Sequence, residues 1–107
     1  MLLEADGYEV RVAFDGTSGL TEAAVFRPHA ICSDLRMPGL SGFELALALR
    51  RSNHSCKTHL IAITGLVTEE NLSNIMASGF DVYFCKPVNF EVFTAHLRSF
   101  FSQIENS

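Results

Sequence analysis

A chain of 107 residues with 48% hydrophobic and 19% charged side chains suits one globular domain with a single core. The net charge of −4 argues against nucleic acid as a direct partner, which would want a basic patch. No uninterrupted apolar stretch approaches the roughly 18 residues of a membrane span, and no signal peptide opens the chain, so no membrane partner and a cytoplasmic location are expected.

Three cysteines, Cys32, Cys56 and Cys85, form an odd set without disulfide spacing. Cys32 and Cys85 fall in apolar runs and are expected to be buried, reduced thiols. Cys56-Lys57-Thr58-His59 offers two metal ligands, but no second pair accompanies it. The only basic doublet, Arg50-Arg51, reads as the solvated face of a helix.

In chain order, Met1 to Ala5 reads as a short piece of helix, ended by Asp6-Gly7. Tyr8 to Phe14 alternates Tyr8, Val10, Val12 and Phe14 with Glu9, Arg11 and Ala13, a strand closed by Asp15-Gly16. Thr17 to Phe26 predicts a helix with Leu20, Ala23 and Ala24 inward, ended by Pro28. Ala30 to Asp34 is a short apolar run that stops on an acid before the Pro38-Gly39 turn, the pattern of a buried strand. Phe43, Leu45, Ala46 and Leu49 predict a helix over Phe43 to Arg50, followed by a polar loop from Ser52 to Thr58. Leu60 to Thr64 is another strand, stopped by Gly65. Thr68-Glu69-Glu70-Asn71 opens a helix to about Ala77, with Gly79 as its stop. Asp81 to Cys85 is a further strand, with Lys86-Pro87 behind it. Asn89 caps a last helix through Phe93, Leu97, Phe100 and Phe101, and Gln103 to Ser107 reads as a fraying tail.

Strict alternation of strand and helix implies an α/β fold: a doubly wound parallel sheet with helices on both faces. All strand carboxyl ends then share one edge, where such sheets place their ligand sites. That edge gathers Asp15 with Gly16, then Asp34, Thr64 and Lys86. A carboxylate can attack a phosphoryl group and form an acyl phosphate. A lysine ammonium and a threonine hydroxyl would answer the charge on its oxygens, with backbone N–H groups at Gly65 and in Arg36-Met37 as further donors. A divalent cation is expected to screen that charge. The plainer reading is that each residue merely follows an apolar strand, with Asp34 capping a turn. A phosphatase or dehalogenase with an aspartate nucleophile would want a second Asp two residues on, where Arg36 stands. A flavin-binding protein of flavodoxin type would need a hydroxyl-rich loop after its first strand, which this sequence does not display.

Asp34-Leu35-Arg36-Met37-Pro38-Gly39-Leu40-Ser41-Gly42, then Ile63-Thr64-Gly65, then Cys85-Lys86-Pro87, resemble the receiver domain of two-component response regulators in order and spacing. The resemblance spans essentially the whole chain. It implies a flavodoxin-like receiver fold, strand order 2-1-3-4-5. It also implies Asp34 as phosphoacceptor, Thr64 as switch hydroxyl, Lys86 as the phosphoryl-binding lysine and a cis bond to Pro87. Tyr83 matches the switch aromatic, although as one of an alternating set with Asp81 and Cys85 it has an ordinary strand reading too. Asp34 and the backbone carbonyl of Arg36 match ligands of a magnesium ion.

The remaining acidic ligands end a strand that precedes the helix represented by Met1 to Ala5, so neither is in this sequence. Asp6 falls at the wrong end of the sheet, and Asp15, at the correct rim, belongs to an ordinary Asp-Gly turn and makes a poor substitute. The missing strand would lie between Tyr8–Phe14 and Ala30–Asp34. Its loss forfeits several buried side chains at about 1.5–3 kcal/mol each, against the roughly 5–15 kcal/mol that holds a domain together. Residues 1–107 are therefore expected to form a single receiver domain incomplete at its N-terminus, not stable alone, in a protein that extends upstream.

The implied function is not enzymatic. It is a phosphorelay module phosphorylated on Asp34 by a histidine kinase or histidine phosphotransfer protein. The Thr68–Phe101 face would meet an output domain or a second copy. The alternative is a receiver-like interaction module no longer phosphorylated for want of its acid pair.

Overall fold

The computed structural model describes residues 2–5, 8–13, 21, 23–25, 29–35, 41–52, 57–65 and 68–105. Among them, five strands form one sheet in the spatial order β1-β2-β3-β4-β5: β1 Leu2–Ala5, β2 Tyr8–Ala13, β3 Ala30–Asp34, β4 His59–Thr64 and β5 Val82–Cys85. Strands β2 to β5 are parallel. Helices α1 Gly42–Arg51, α2 Glu69–Ser78 and α3 Phe90–Glu105 cover the sheet. Thr21 and Ala23 to Val25 are also helical, inside the expected Thr17 to Phe26 helix.

One expectation at the amino end is corrected. Leu2–Ala5 is not a helix fragment but an edge strand, antiparallel to β2 with Leu2 opposite Arg11 and Ala5 opposite Tyr8. Five residues are too few to sustain a helix, and the two residues between the paired strands, Asp6-Gly7, are the sequence that two-residue hairpins favour. Among the described residues, no strand stands between β2 and β3. Strand β2 pairs with β3 directly, Val10 opposite Ala30 through to Ala13 opposite Ser33. The four parallel strands keep the order expected of a receiver, and β2 closes onto β3 where another strand was expected.

Alternation along the strands sends side chains to two cores, as a sheet covered on both faces requires. Ile31, Leu60 and Ala62 pack with Leu45, Ala46 and Leu49 of α1 and Ile75 of α2. Ala30, Cys32 and Ile61 pack on the other side with Phe93, Leu97 and Phe101 of α3. The helices begin where capping side chains stand. Ser41 and Glu44 form a reciprocal capping box on α1. Thr68 caps α2, and Asn89 accepts from the N–H of Val92 in α3.

The last helix runs to Glu105 rather than fraying from Gln103, because no breaker follows Phe101, which is anchored in the core. Cys32 is buried, but Cys85 is exposed, since it is the last residue of β5 at the sheet rim. Cys56 lies outside the described residues. Arg51 is exposed as expected, whereas Arg50 is not a free surface charge. Its Nε and Nη1 donate to the carbonyls of Gly79 (2.8 Å) and Thr58 (2.7 Å), and Nη2 donates to Asp81 (2.7 Å). The carbonyl groups it meets belong to loop ends that leave backbone acceptors open, and the planar guanidinium can reach several at once.

Candidate functional site

Parallel pairing fixes where the strand ends fall. Asp34 lies opposite Ile63 and Thr64 opposite Cys85, so β3, β4 and β5 terminate side by side. The N–H of Lys86 continues the ladder one step further by donating to the Thr64 carbonyl at 2.8 Å. Asp34, Thr64, Gly65 and Lys86 line one cavity of about 650 Å³, together with Leu35, Phe43 and Asn71. That volume is within the range of small-ligand sites.

Lys86 Nζ contacts Asp34 Oδ2 directly. The two side chains are 48% and 35% exposed, so water screens the pair and it adds little to stability. The arrangement is suited to a third, anionic party: it sets together a carboxylate, an ammonium that can exchange it for another anionic oxygen, and a hydroxyl. The Lys86–Pro87 peptide bond is cis, as expected.

Asp34 is held by its own backbone. The buried hydroxyl of Ser33 donates to the Asp34 carbonyl at 2.9 Å, and the N–H of Gly42, first residue of α1, donates to the Leu35 carbonyl at 3.1 Å. This close passage excludes any side chain at 42, because a Cβ there would stand 2.6 Å from the Asp34 carbonyl oxygen and 2.8 Å from Leu35 Cα. Gly65 is different: a Cβ there would meet nothing nearer than Lys86 Cδ at 4.0 Å.

Tyr83 is half-buried against the core formed by α1 and α2 and is not among the residues lining the cavity. Arg36, Asp6 and Asp15 lie outside the described residues. Sequence reading missed three lining residues. Leu35 and Phe43 carry only an apolar signal. Asn71 was visible only as part of a helix start, yet its side chain reaches the Thr64 hydroxyl.

A second polar cluster occupies the opposite edge, where strands begin. Asp81 Oδ2 accepts from the Leu60 N–H at 2.8 Å and from Arg50, with His59 Nδ1 at 3.4 Å. Burial would raise the Asp81 pKa, but His59, the Leu60 N–H and Arg50 together outweigh it and hold the carboxyl down to about 2. Burial raises the Cys32 thiol to about 12, so it is not a nucleophile at neutral pH. Among the described residues, no helix is long and apolar enough to cross a membrane.

Comparison with known proteins agrees with the geometry. The response regulator receiver domain matches residues 1–98. The chain is 32% identical over 97 residues to the DNA-binding dual master transcriptional regulator RpaA of Synechocystis, covering 91% of this chain but 40% of that protein. It is 28% identical over 99 residues to the polar-differentiation response regulator DivK of Brucella anthropi, covering 92% and 80% respectively. The chemotaxis response regulator CheY4 of Vibrio cholerae superposes with a TM-score of 0.77 at 32% identity, over 87% of this chain and 78% of that one. With parallel strands ending together at an aspartate, a threonine and a lysine, this chain belongs to the response regulator receiver domains of two-component signalling.

Proposed function

We propose that the chain is a phosphoacceptor module of a phosphorelay. The observation that carries this reading is the convergence of Asp34, Thr64 and Lys86 on one cavity at the carboxyl edge of the sheet. A carboxylate oxygen of Asp34 attacks the phosphorus of a phosphohistidine, the P–N bond breaks, and an acyl phosphate forms on Asp34. Lys86 shifts from the carboxylate to a phosphoryl oxygen, and the Thr64 hydroxyl and the Gly65 and Arg36 N–H groups donate to the others. The phosphoryl donor is a histidine kinase or histidine phosphotransfer protein. Relatives include the CAI-1 autoinducer sensor kinase/phosphatase CqsS of Vibrio cholerae, 31% identical over 93 residues.

Phosphorylation is read out on the face made by α2, β5 and α3, where Met76, Phe90 and Val92 are exposed apolar side chains. Thr64 and Tyr83 are the groups through which it would be felt there. The occupant of that face is an output domain or a second copy, and the location is cytoplasmic.

The receiver domain of sensor histidine kinase PA1611 from Pseudomonas aeruginosa holds magnesium in its active-site cleft. Here Asp34 is the one carboxylate among the described residues lining the cavity, and no group of three or more His, Cys, Asp or Glu among the described residues is arranged to hold a metal ion. The described residues therefore do not make up a magnesium site. That observation favours a second reading, a receiver-like interaction module that is not phosphorylated.

One experiment separates the two. The full-length gene product is incubated with a small phosphodonor and magnesium and analysed by intact mass. An acid-labile phosphate that is lost in Asp34→Asn supports the phosphoacceptor; its absence from the parent protein leaves the interaction module.

A further inference from the structure

Thr64 is 4% exposed at the end of β4, and Asn71 Nδ2 donates to its Oγ1 at 3.3 Å. Asn71 stands in the first turn of α2, and that turn is fixed. The Asn71 N–H bonds the capping Thr68 Oγ1 at 3.1 Å, and the Leu72 N–H bonds the Thr68 carbonyl at 2.9 Å. The carboxamide is thus carried into the cavity of Asp34 and Lys86 by a capped helix end.

The polarity of this bond matters chemically. A hydroxyl that accepts a hydrogen bond on its oxygen must aim its own hydrogen elsewhere. The oxygens of a phosphoryl group on Asp34 only accept, so Thr64 serves them only as a donor. An amide N–H at position 71 leaves the Thr64 hydroxyl in that role. A carboxylate at 71 would reverse it, since a carboxylate only accepts and would draw the Thr64 hydrogen to itself.

We propose that Asn71 is a positioning residue, whose carboxamide holds the Thr64 hydroxyl as a donor toward the phosphoryl group on Asp34. The same bond ties the first turn of α2 to any movement of Thr64, which links the cavity to the exposed face of that helix. The proposal rests on Asp34 being the phosphoacceptor.

The test is a double-mutant cycle between positions 71 and 64, read as the rate of acyl-phosphate formation from a small phosphodonor with magnesium. Asn71→Asp is nearly isosteric, and an acid in the first turn suits the helix dipole, so circular dichroism and melting are expected to stay close to the parent. Its rate is expected to fall at least about tenfold, the weight of one lost hydrogen bond to a charged group, and Asn71→Ala to fall about threefold or less. The added charge alone would slow an anionic donor, so both variants are repeated with Thr64→Val, where the Asn71→Asp loss should shrink by at least about threefold. The Thr64 methyl and amide resonances of the unphosphorylated protein should also move more in Asn71→Asp than in Asn71→Ala.

Equal losses from Asn71→Asp with and without the Thr64 hydroxyl overturn the proposal, as do unmoved Thr64 resonances. A parent protein that takes up no phosphate overturns the phosphoacceptor reading and this proposal with it. A phosphorylated parent whose variants show no coupling overturns this proposal alone.

Discussion

Arg50, near the end of α1, and Asp81, just before β5, meet at 2.7 Å across the amino-terminal edge of the sheet, opposite the cavity lined by Asp34 and Lys86. The same guanidinium holds the carbonyls of Gly79 and Thr58, so one side chain ties α1 to the end of α2 and to the entrances of β4 and β5. Arg50→Ala is expected to cost about 2–3 kcal/mol, since it removes the guanidinium's bonds to two backbone carbonyls and one of the charged partners of a part-buried carboxylate, discounted for their partial exposure. Arg50→Lys should recover less than half of that, because an ammonium cannot reproduce the planar fork. Urea unfolding monitored by circular dichroism measures both, and an unchanged midpoint in Arg50→Ala would show that the clamp carries no load.

Asp81 makes the acid limb of stability predictable. Its carboxyl is held from the ordinary 3.8 down to about 2, the opposing effect of burial being outweighed by His59, the Leu60 N–H and Arg50. A carboxylate with a lowered folded pKa binds fewer protons folded than unfolded. Its contribution is therefore complete above about pH 4 and drains away as pH falls toward about 2. The difference in unfolding free energy between the parent and Asp81→Asn should be largest at neutral pH, shrink as pH falls toward 2, and level off only below that, where both carry a neutral side chain. A difference that stays constant across that window would contradict the assignment.

His96, packed against His59, supplies a second pH dependence nearer neutrality. Their Nε2 atoms are 2.9 Å apart, close enough to share one hydrogen, and His59 stacks on Phe100 at 4.0 Å between ring centroids. Burial and the neighbouring His59 lower the His96 pKa from the ordinary 6.5. The folded state thus resists protonation of His96. Its full stability is present above the ordinary histidine value and is lost as pH falls from there through the lowered one. Groups facing this pair include Asp81 beside His59 Nδ1 and the ring of Phe84 against His96. His96→Gln should remove the decline in melting temperature just below pH 6.5 while leaving the Asp81 limb in place. A parent protein with a flat melting temperature over that interval would contradict the role of His96.

The sequence carried the site further than the edge of the sheet. Asp34, Thr64 and Lys86 were legible because each follows a short apolar strand, and strict alternation forces parallel strand ends together. Asn71 was not, since a polar residue in a capped first turn has an ordinary helical explanation, and only tertiary packing brings it to Thr64. The Arg50 clamp was hidden for a similar reason: its partners, Thr58, Gly79 and Asp81, are remote in sequence. The amino end misled because Met1 to Ala5 is apolar enough for either state. Its pairing with β2 is decided by the open edge of that strand and the Asp-Gly between them rather than by its own propensity.

Two glycines in the site should respond in opposite ways to alanine, which checks the backbone geometry that presents Asp34. At Gly42 the new Cβ would sit 2.6 Å from the Asp34 carbonyl oxygen and 2.8 Å from Leu35 Cα, both backbone atoms that cannot swing aside. Strand β3 and the start of α1 must then separate, at a cost of about 1–3 kcal/mol as for other overpacked sites. The Gly42–Leu35 hydrogen bond would lengthen with them, shifting Asp34 away from Lys86. At Gly65 the Cβ meets only Lys86 Cδ at the ordinary distance of 4.0 Å, so Gly65→Ala should melt within about a degree or two of the parent. Differential scanning calorimetry of the two variants decides the matter. Gly42→Ala melting with the parent would mean that Asp34 is not held by this close passage of backbone.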